Sequence, residues 1–262
     1  MYKNLEIQKS EAVWRLQLNR PEVKNAMNAE MISELLSFFE NIDSKCRAIV
    51  IKGSGDFYCA GGDLNWMKSS LKKSAKENEE DTLALAQMLH ALDECPVPVI
   101  SLVRGGAFGG GVGLVAGSDI VIADEKALFS LSEVKLGLLP ATIGPLVMRK
   151  IGMSQARRFY LTGKRFSALE ARSIGLVHEV VPVASLNSVC QDYLNELGMA
   201  GPQAVKVAKK LIRNLQGHPL WEESVCEKTS KILSEVRIGS EAQEGMTAFL
   251  EKRKPSWRED LK

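Results

Sequence analysis

Five glycines fall within seven residues, at Gly105, Gly106, Gly109, Gly110 and Gly111, and this cluster narrows the possible folds more than any other stretch. Glycine serves backbone conformations and close approaches that a Cβ forbids. An apolar, β-branched run (97–103) precedes the cluster, and a small-residue run compatible with a helix (112–117) follows it. Strand, glycine turn and helix in that order expose backbone N–H groups at a helix N-terminus, a ready place for an oxyanion. A further apolar strand pattern (119–123) comes next, and then Glu133, a lone carboxylate in mild surroundings. The segment 104–140 therefore reads as half of an oxyanion hole plus one proton-transfer group.

The flanking patterns give this segment a setting. Residues 2–9 and 12–18 alternate as two strands, joined as a hairpin around Ser10-Glu11. Asn28 is placed to cap a helix that reaches about Ile42, with Met31, Leu35, Leu36 and Phe39 at helical spacing. Residues 47–52 have the profile of a buried parallel strand. Residues 67–80 are charged and weakly patterned and read as a mobile surface loop or fraying helix. A helix follows over 81–92, with Leu83, Leu85, Met88, Leu89 and Leu92 inward, ended by Pro96 and Pro98. The alternation of strand and helix implies right-handed crossovers in an α/β core. Beyond Pro140 the pattern turns helical: 143–151 and 154–162, split at Gly152, then a short helix capped by Ser167 with Glu170 as its capping-box partner. A short strand (179–181) and four helices (184–199, 202–215, 220–237, 240–252) complete the chain. The expected division is an α/β core over 1–195 and an all-helical region over 196–262.

Composition excludes several classes. The chain has 262 residues, is 45% hydrophobic and carries a net charge of +2, too near neutral for a nucleic-acid or membrane-surface binder. No apolar run approaches the ~20 residues of a membrane span, and the N-terminus lacks the pattern of a signal peptide. Five separated cysteines, Cys46, Cys59, Cys95, Cys190 and Cys226, show no CxxC pairing and read as reduced thiols of a cytoplasmic protein. No metal site is expected. His90, His178 and His218 have no partner at ligand or triad spacing and read as structural or surface residues.

A second glycine turn, Cys59-Ala60-Gly61-Gly62-Asp63, follows strand 47–52 as the first follows 97–103. If the two strands are neighbours, both turns lie at the carboxyl ends of the sheet, where α/β folds bind ligands. One N–H from each could then serve a single carbonyl oxygen. Taken together, YCAGGDL, GGAFGGGVGLVAGSDIVIA, FSLSEVKLGLLP, TGKRFSALEARSIGLVHEVV and FLEKRKPSW closely resemble the enoyl-CoA hydratase/isomerase (crotonase) superfamily over nearly the whole chain. The resemblance implies an α/β, crotonase-like ββα spiral core with a helical C-terminal trimerisation region, assembled as a homotrimer or dimer of trimers. It also implies an acyl-CoA thioester as substrate, coenzyme A being part of the substrate and no separate cofactor being used.

Carried onto this sequence, the oxyanion donors are the N–H groups of Gly62 and Gly110, and the proton-transfer residue is Glu133. The CoA-binding segment matches Lys24, Asn25 and Ala26 together with Ala60, Gly61, Gly62, Asp63 and Leu64, with Gly110 at the thioester. Phe249 and Lys252 match C-terminal CoA contacts that often come from a neighbouring subunit. Hydratases of the family use a second glutamate, which would stand four positions past Gly109, where this chain has Gly113. The expectation is that Gly113 removes a side chain from the pocket wall and makes room for a branched or carboxylated acyl group.

The nearest branch by resemblance is the bacterial methylglutaconyl-CoA hydratases, and Arg104 or a lysine from 68–73 could pair with the carboxylate of such a substrate. The leading expectation is hydration of a 2-enoyl-CoA. A Δ3,Δ2-enoyl-CoA isomerase is second, favoured by Gly113, and decarboxylation of a carboxylated acyl-CoA is third. A crotonase-fold RNA-binding or scaffold protein is the non-enzyme alternative, disfavoured by the charge. Asp63 is placed to cap the helix after its turn, and GGAFGGGVG sits too far along the chain to be a dinucleotide fingerprint.

Overall fold

The computed structural model describes residues 2–216 and 222–261; His218 lies outside the described residues. The chain opens with β1 (Leu5–Lys9), β2 (Val13–Leu18), α1 (Ala29–Glu40), β3 (Ala48–Gly53), α2 (Leu64–Ser70), α3 (Ala75–Glu94) and β4 (Val99–Val103). The glycine-rich centre forms β5 (Gly106–Phe108), α4 (Gly110–Gly117), β6 (Ile120–Asp124) and β7 (Leu128–Ser130). Then come α5 (Gly144–Thr162), β8 (Phe166–Ser167), α6 (Ala168–Ser173), β9 (Glu179–Val181), α7 (Leu186–Met199), α8 (Pro202–Asn214), α9 (Glu223–Ile238) and α10 (Ser240–Leu250).

Six strands form one sheet in the order β1-β2-β3-β4-β6-β9, and β5-β7-β8 form a smaller second sheet. Only the β1–β2 hairpin is antiparallel in the large sheet; every other neighbouring pair is parallel. The central strand β4 is buried on both faces, as the apolar run 97–103 requires. Alternation along β4 sends Val99 and Val103 into the core beneath α1, α3, α4 and α5, and Ile100 and Leu102 into a second core covered by α7 and Leu261. This mixed α/β layout ends in the helical run α7–α10, as the resemblance implies. Among the described residues no helix is long and apolar enough to cross a membrane.

Local signals act where expected at several points. The Asn28 side chain accepts from Met31 N at 2.8 Å and starts α1. The Ser167 side chain accepts from Glu170 N and starts α6. Gly152, at φ 74° and ψ 159°, kinks α5 between its two halves. The segment 67–80 is a correction. It is α2, a short turn and the start of α3, stabilised by a full capping box in which Ser74 and Glu77 exchange hydrogen bonds. Capping and exposed-face propensity, not apolar periodicity, carry this stretch, so a pattern search for an apolar face passes over it. Leu83 is a second correction: it points outward at 53% exposure, while Met88, Leu89 and Leu92 are buried.

Candidate active site

β3 and β4 are parallel neighbours, Ile49 opposite Val99, so the turns that follow them leave the same edge of the sheet. The turns then join. Cys59 bridges Ala107, with Cys59 N donating to Gly106 O at 3.3 Å and Phe108 N to Cys59 O at 3.0 Å. At Gly61 φ is 93°, and a Cβ there would stand 2.8 Å from Phe108 O, so only glycine allows the approach. Met27 N donates to Gly61 O at 2.7 Å and Asp63 N donates to Met27 O at 2.9 Å. That parallel bridge leaves the N–H of Gly62 itself directed away from Met27. Gly110 is the first residue of α4, where the helix supplies no acceptor for its N–H. Gly62 and Gly110 are both half-buried.

β7 brings the carboxylate back. It runs parallel to β5, Phe108 opposite Ser130, and Gly109 N donates to Ser130 O at 2.9 Å. Three residues later Glu133 is the second residue of a 3₁₀ turn (Ser132–Leu136), and its Oε1 lies 3.1 Å from where a Cβ on Gly109 would be. Gly109 itself adopts φ 48° and ψ −120°. Glu133 Oε2 is buried and accepts no hydrogen bond from the described residues. Burial pushes the carboxyl above its ordinary pKa, with its own backbone N–H opposing weakly. The arrangement is a poorly solvated carboxylate beside a helix N-terminus, suited to exchanging a proton above the ordinary carboxylate range.

Gly113 stands on the buried face of α4, and here the structure overturns an expectation. A Cβ at Gly113 would meet Ile143 Cγ2 at 2.5 Å, Ile143 Cβ at 3.1 Å and Leu89 Cδ2 at 3.4 Å. The space released by the missing side chain is therefore filled by Ile143, from the residue that precedes α5, and no room is gained there for the acyl group.

Most of the CoA-matching residues on the two loops have internal duties. Asn25, fully buried at φ 56°, accepts from Arg20 N at 2.9 Å and donates to Ser54 O and Phe57 O at 2.9 and 2.7 Å. Ala60 N donates to Lys24 O at 3.0 Å, and Ala26 O accepts from Arg20. Asp63 caps α2 by accepting from Asn65 N and Trp66 N, and its other oxygen pairs with Arg20 at 2.9 Å. Burial acts to raise the Asp63 carboxyl, but those N–H groups and Arg20 outweigh it and hold it below the ordinary value. Lys24, exposed at φ 52°, and Leu64, exposed, face solvent. Phe249 and Lys252 stand exposed at the end of α10, whose packing partners are α8 and α9.

Two residues carry weight that the sequence did not reveal. Arg20 holds Ala26 O and reaches Asp63, 43 positions further along the chain, which no local pattern signals. Tyr160, on α5, donates to Gly144 O at 3.4 Å, and burial followed by the Glu133 charge pushes its hydroxyl up to about 12. His178 is structural, its Nδ1 accepting from Val121 N at 2.9 Å, and His90 is exposed. Arg104 is held by Asp56 at 2.7 Å.

Two glycine turns joined at one sheet edge, with a returning carboxylate, place backbone N–H groups and one proton-exchanging side chain together on an α/β core. The sequence model of the family Enoyl-CoA hydratase/isomerase matches residues 8–260, and the chain belongs to that family. It is similar to the crystal structure of an enoyl-CoA hydratase from Shewanella pealeana, at 37% identity and TM-score 0.93, over 98% of this chain and 96% of that one. It is also similar to Pseudomonas aeruginosa AtuE, at 35% identity and TM-score 0.93, over 98% and 100% of the two chains. Enoyl-CoA hydratase AKT6-1 of Alternaria alternata is 33% identical over 92% of this chain and 79% of its own length.

Proposed function

We propose that this protein is an enoyl-CoA hydratase in which the N–H groups of Gly62 and Gly110 polarise the thioester carbonyl and Glu133 alone moves the proton. The observation that carries this reading is the Glu133 carboxylate, poorly solvated and placed against Gly109 at the head of α4. Two fixed donors aimed at the carbonyl oxygen stabilise an enolate as it forms, which is worth ~10²–10³ in rate per donor. Water adds its oxygen to Cβ while Glu133 takes one of its protons, and the π electrons move onto the thioester oxygen. Glu133 then returns that proton to Cα, so one water is added and the residue is regenerated.

Ile143 favours a second reading. It occupies the ground where a second carboxylate would stand, and a single carboxylate suffices for isomerisation: Glu133 removes a proton from C2 of a 3-enoyl thioester and returns it to C4. A 3-methylglutaconyl thioester as the natural substrate rests on the resemblance of the central segments. The wall at Ile143 gives it no added room, Arg104 and Lys73 are engaged by Asp56 and Asp81, and Lys68 and Lys72 are exposed. Leu64 and Leu71, which follow Gly62 in the chain, and Leu136, Leu138 and Leu139, which follow Glu133, are exposed apolar side chains that would suit an acyl chain. Exposed Ile238, Phe249 and Leu250 on the C-terminal helices fit assembly into a trimer or dimer of trimers, with Phe249 and Lys252 reaching a neighbour's CoA. The buried, unpaired thiols of Cys46, Cys59, Cys95 and Cys190 fit action in the reducing cytoplasm.

Incubation with crotonyl-CoA, 3-methylglutaconyl-CoA and a 3-enoyl-CoA, with products followed by mass, tests the reading. A gain of one water identifies the hydratase. Unchanged mass with new conjugation from the 3-enoyl substrate identifies the isomerase instead. No conversion of any of the three overturns both.

A further inference from the structure

Three hydroxyls lie inside the apolar core and form one continuous chain. Tyr58 Oη is 2.8 Å from Ser101 Oγ, and Ser101 Oγ is 2.8 Å from Ser118 Oγ. Ser118 Oγ donates to Leu114 O at 2.9 Å. Tyr58 and Ser101 are fully buried and Ser118 is 2% exposed. Each hydroxyl has one proton to give. Because Ser118 gives its proton to Leu114 O, Ser101 must donate to Ser118 and Tyr58 to Ser101. The chain has one direction and leaves no donor unused.

Its ends fall on the two halves of the candidate site. Tyr58 immediately precedes the turn that carries Gly62. Ser118 ends α4, the helix that begins with Gly110, about 12 Å long at 1.5 Å per residue. Ser101 sits midway on β4, on the face beneath α4. The far end of α4 is held a second time by Lys150, whose Nζ donates to Ser118 O at 2.6 Å. Phenylalanine and two alanines would fill the same positions without burying polar groups, and such apolar exchange is near neutral for stability. What an apolar trio lacks is directional bonds of fixed length, and fully satisfied polar networks rigidify the elements that they join.

We propose that Tyr58, Ser101 and Ser118 are positioning residues that hang both oxyanion-donating elements on one strand, and so fix the Gly62 and Gly110 N–H groups relative to each other. The proposal rests on the reading of those two amides as the thioester's donors. Shifts of a few tenths of an ångström are its currency, since a full ångström of misplacement costs ~10² in rate.

The test compares Tyr58→Phe, Ser101→Ala, their double variant and the triple variant with Ser118→Ala, against the parent. The carbonyl stretch of bound crotonyl-CoA is read by infrared spectroscopy alongside kcat, KM and Tm. Expected are a smaller downshift of the carbonyl band and a kcat about tenfold lower in each single variant, with KM within about twofold. The double variant is expected to be no worse than either single one, since each breaks the same chain. The triple variant leaves no orphaned hydroxyl and is expected to fold like the parent while keeping the defect, which covers failure of a single variant to fold. A lowered Tm with the carbonyl band and kcat unchanged would overturn the proposal and leave the chain a core feature only. A parent that neither shifts the band nor turns over any enoyl thioester would overturn the functional reading, and the positioning role with it.

Discussion

At the scale of single residues, Glu133 sets the behaviour of the site with pH. Burial raises its pKa, so the folded protein holds this proton more tightly than the unfolded chain. Stability therefore falls as pH rises from the ordinary carboxylate value through the raised one, and the cost is fully present above it. Glu133→Gln removes the charge from that site. It is expected to lower kcat by at least ~10² and to melt above the parent at pH 7.5, the gap closing as pH approaches 5; thermal melts across pH check this. Because the ionised form is the base, the acidic limb of the parent's kcat profile should lie above the usual carboxylate range. Gly61 and Gly62 separate backbone demands from side-chain ones. Gly61→Ala meets φ 93° and Phe108 O, and should cost about 1–3 kcal/mol together with most of the activity. At Gly62 a Cβ meets only Met67, at 3.6 Å, and the N–H is kept, so Gly62→Ala should retain kcat within a few-fold. Urea titration and steady-state kinetics of the pair decide it.

At the scale of elements, α4 is held between β4 and the start of α5, and its sequence is read by what packs on it. Gly113 lets Ile143 come close, and Gly117 does the same for Leu92, whose Cδ2 would be 2.7 Å from a Cβ there. Gly113→Glu alone would collide with a β-branched, fully buried neighbour and should destabilise by about 1–3 kcal/mol. Pairing it with Ile143→Ala clears the ground. The double variant is expected to regain the Tm lost in the single one and to hydrate crotonyl-CoA faster than the parent. Melting curves and initial rates of the three proteins test both halves.

At the scale of the whole molecule, one arginine joins the helical C-terminal run to the sheet. Arg47, at the start of β3 and 9% exposed in its side chain, donates to Trp257 O, Leu197 O and Ala200 O at 2.9, 2.9 and 2.8 Å and pairs with Glu259 at 2.7 Å. Arg47→Ala removes the guanidinium donor from all three carbonyls, Leu197 O keeping Ala200 N at 3.3 Å, and should cost about 2–4 kcal/mol. It should also open the tail around Trp257 to proteolysis before the α/β core, as limited digestion followed by mass spectrometry would show. Leu261, buried against Leu186, Cys190 and Leu194, belongs to the same anchorage.

What the sequence determined by itself was local or periodic: the parallel strands, the two glycine turns, the caps at Asn28, Asp63 and Ser167, and the break at Gly152. Each follows from backbone preferences or burial along a few residues, and the glycine turns with Glu133 made the candidate site legible. The tertiary structure decided whatever depends on contact between distant segments. It showed that Ile143 fills the place of the absent side chain at Gly113, that Arg20 clamps the Cys59–Asp63 turn through Asp63, and that Tyr58, Ser101 and Ser118 share one hydrogen-bond chain. A missing side chain says what is not there. Only packing says whether the gap is left open or taken by a neighbour, because that neighbour comes from thirty residues away in the chain and no local pattern reports it.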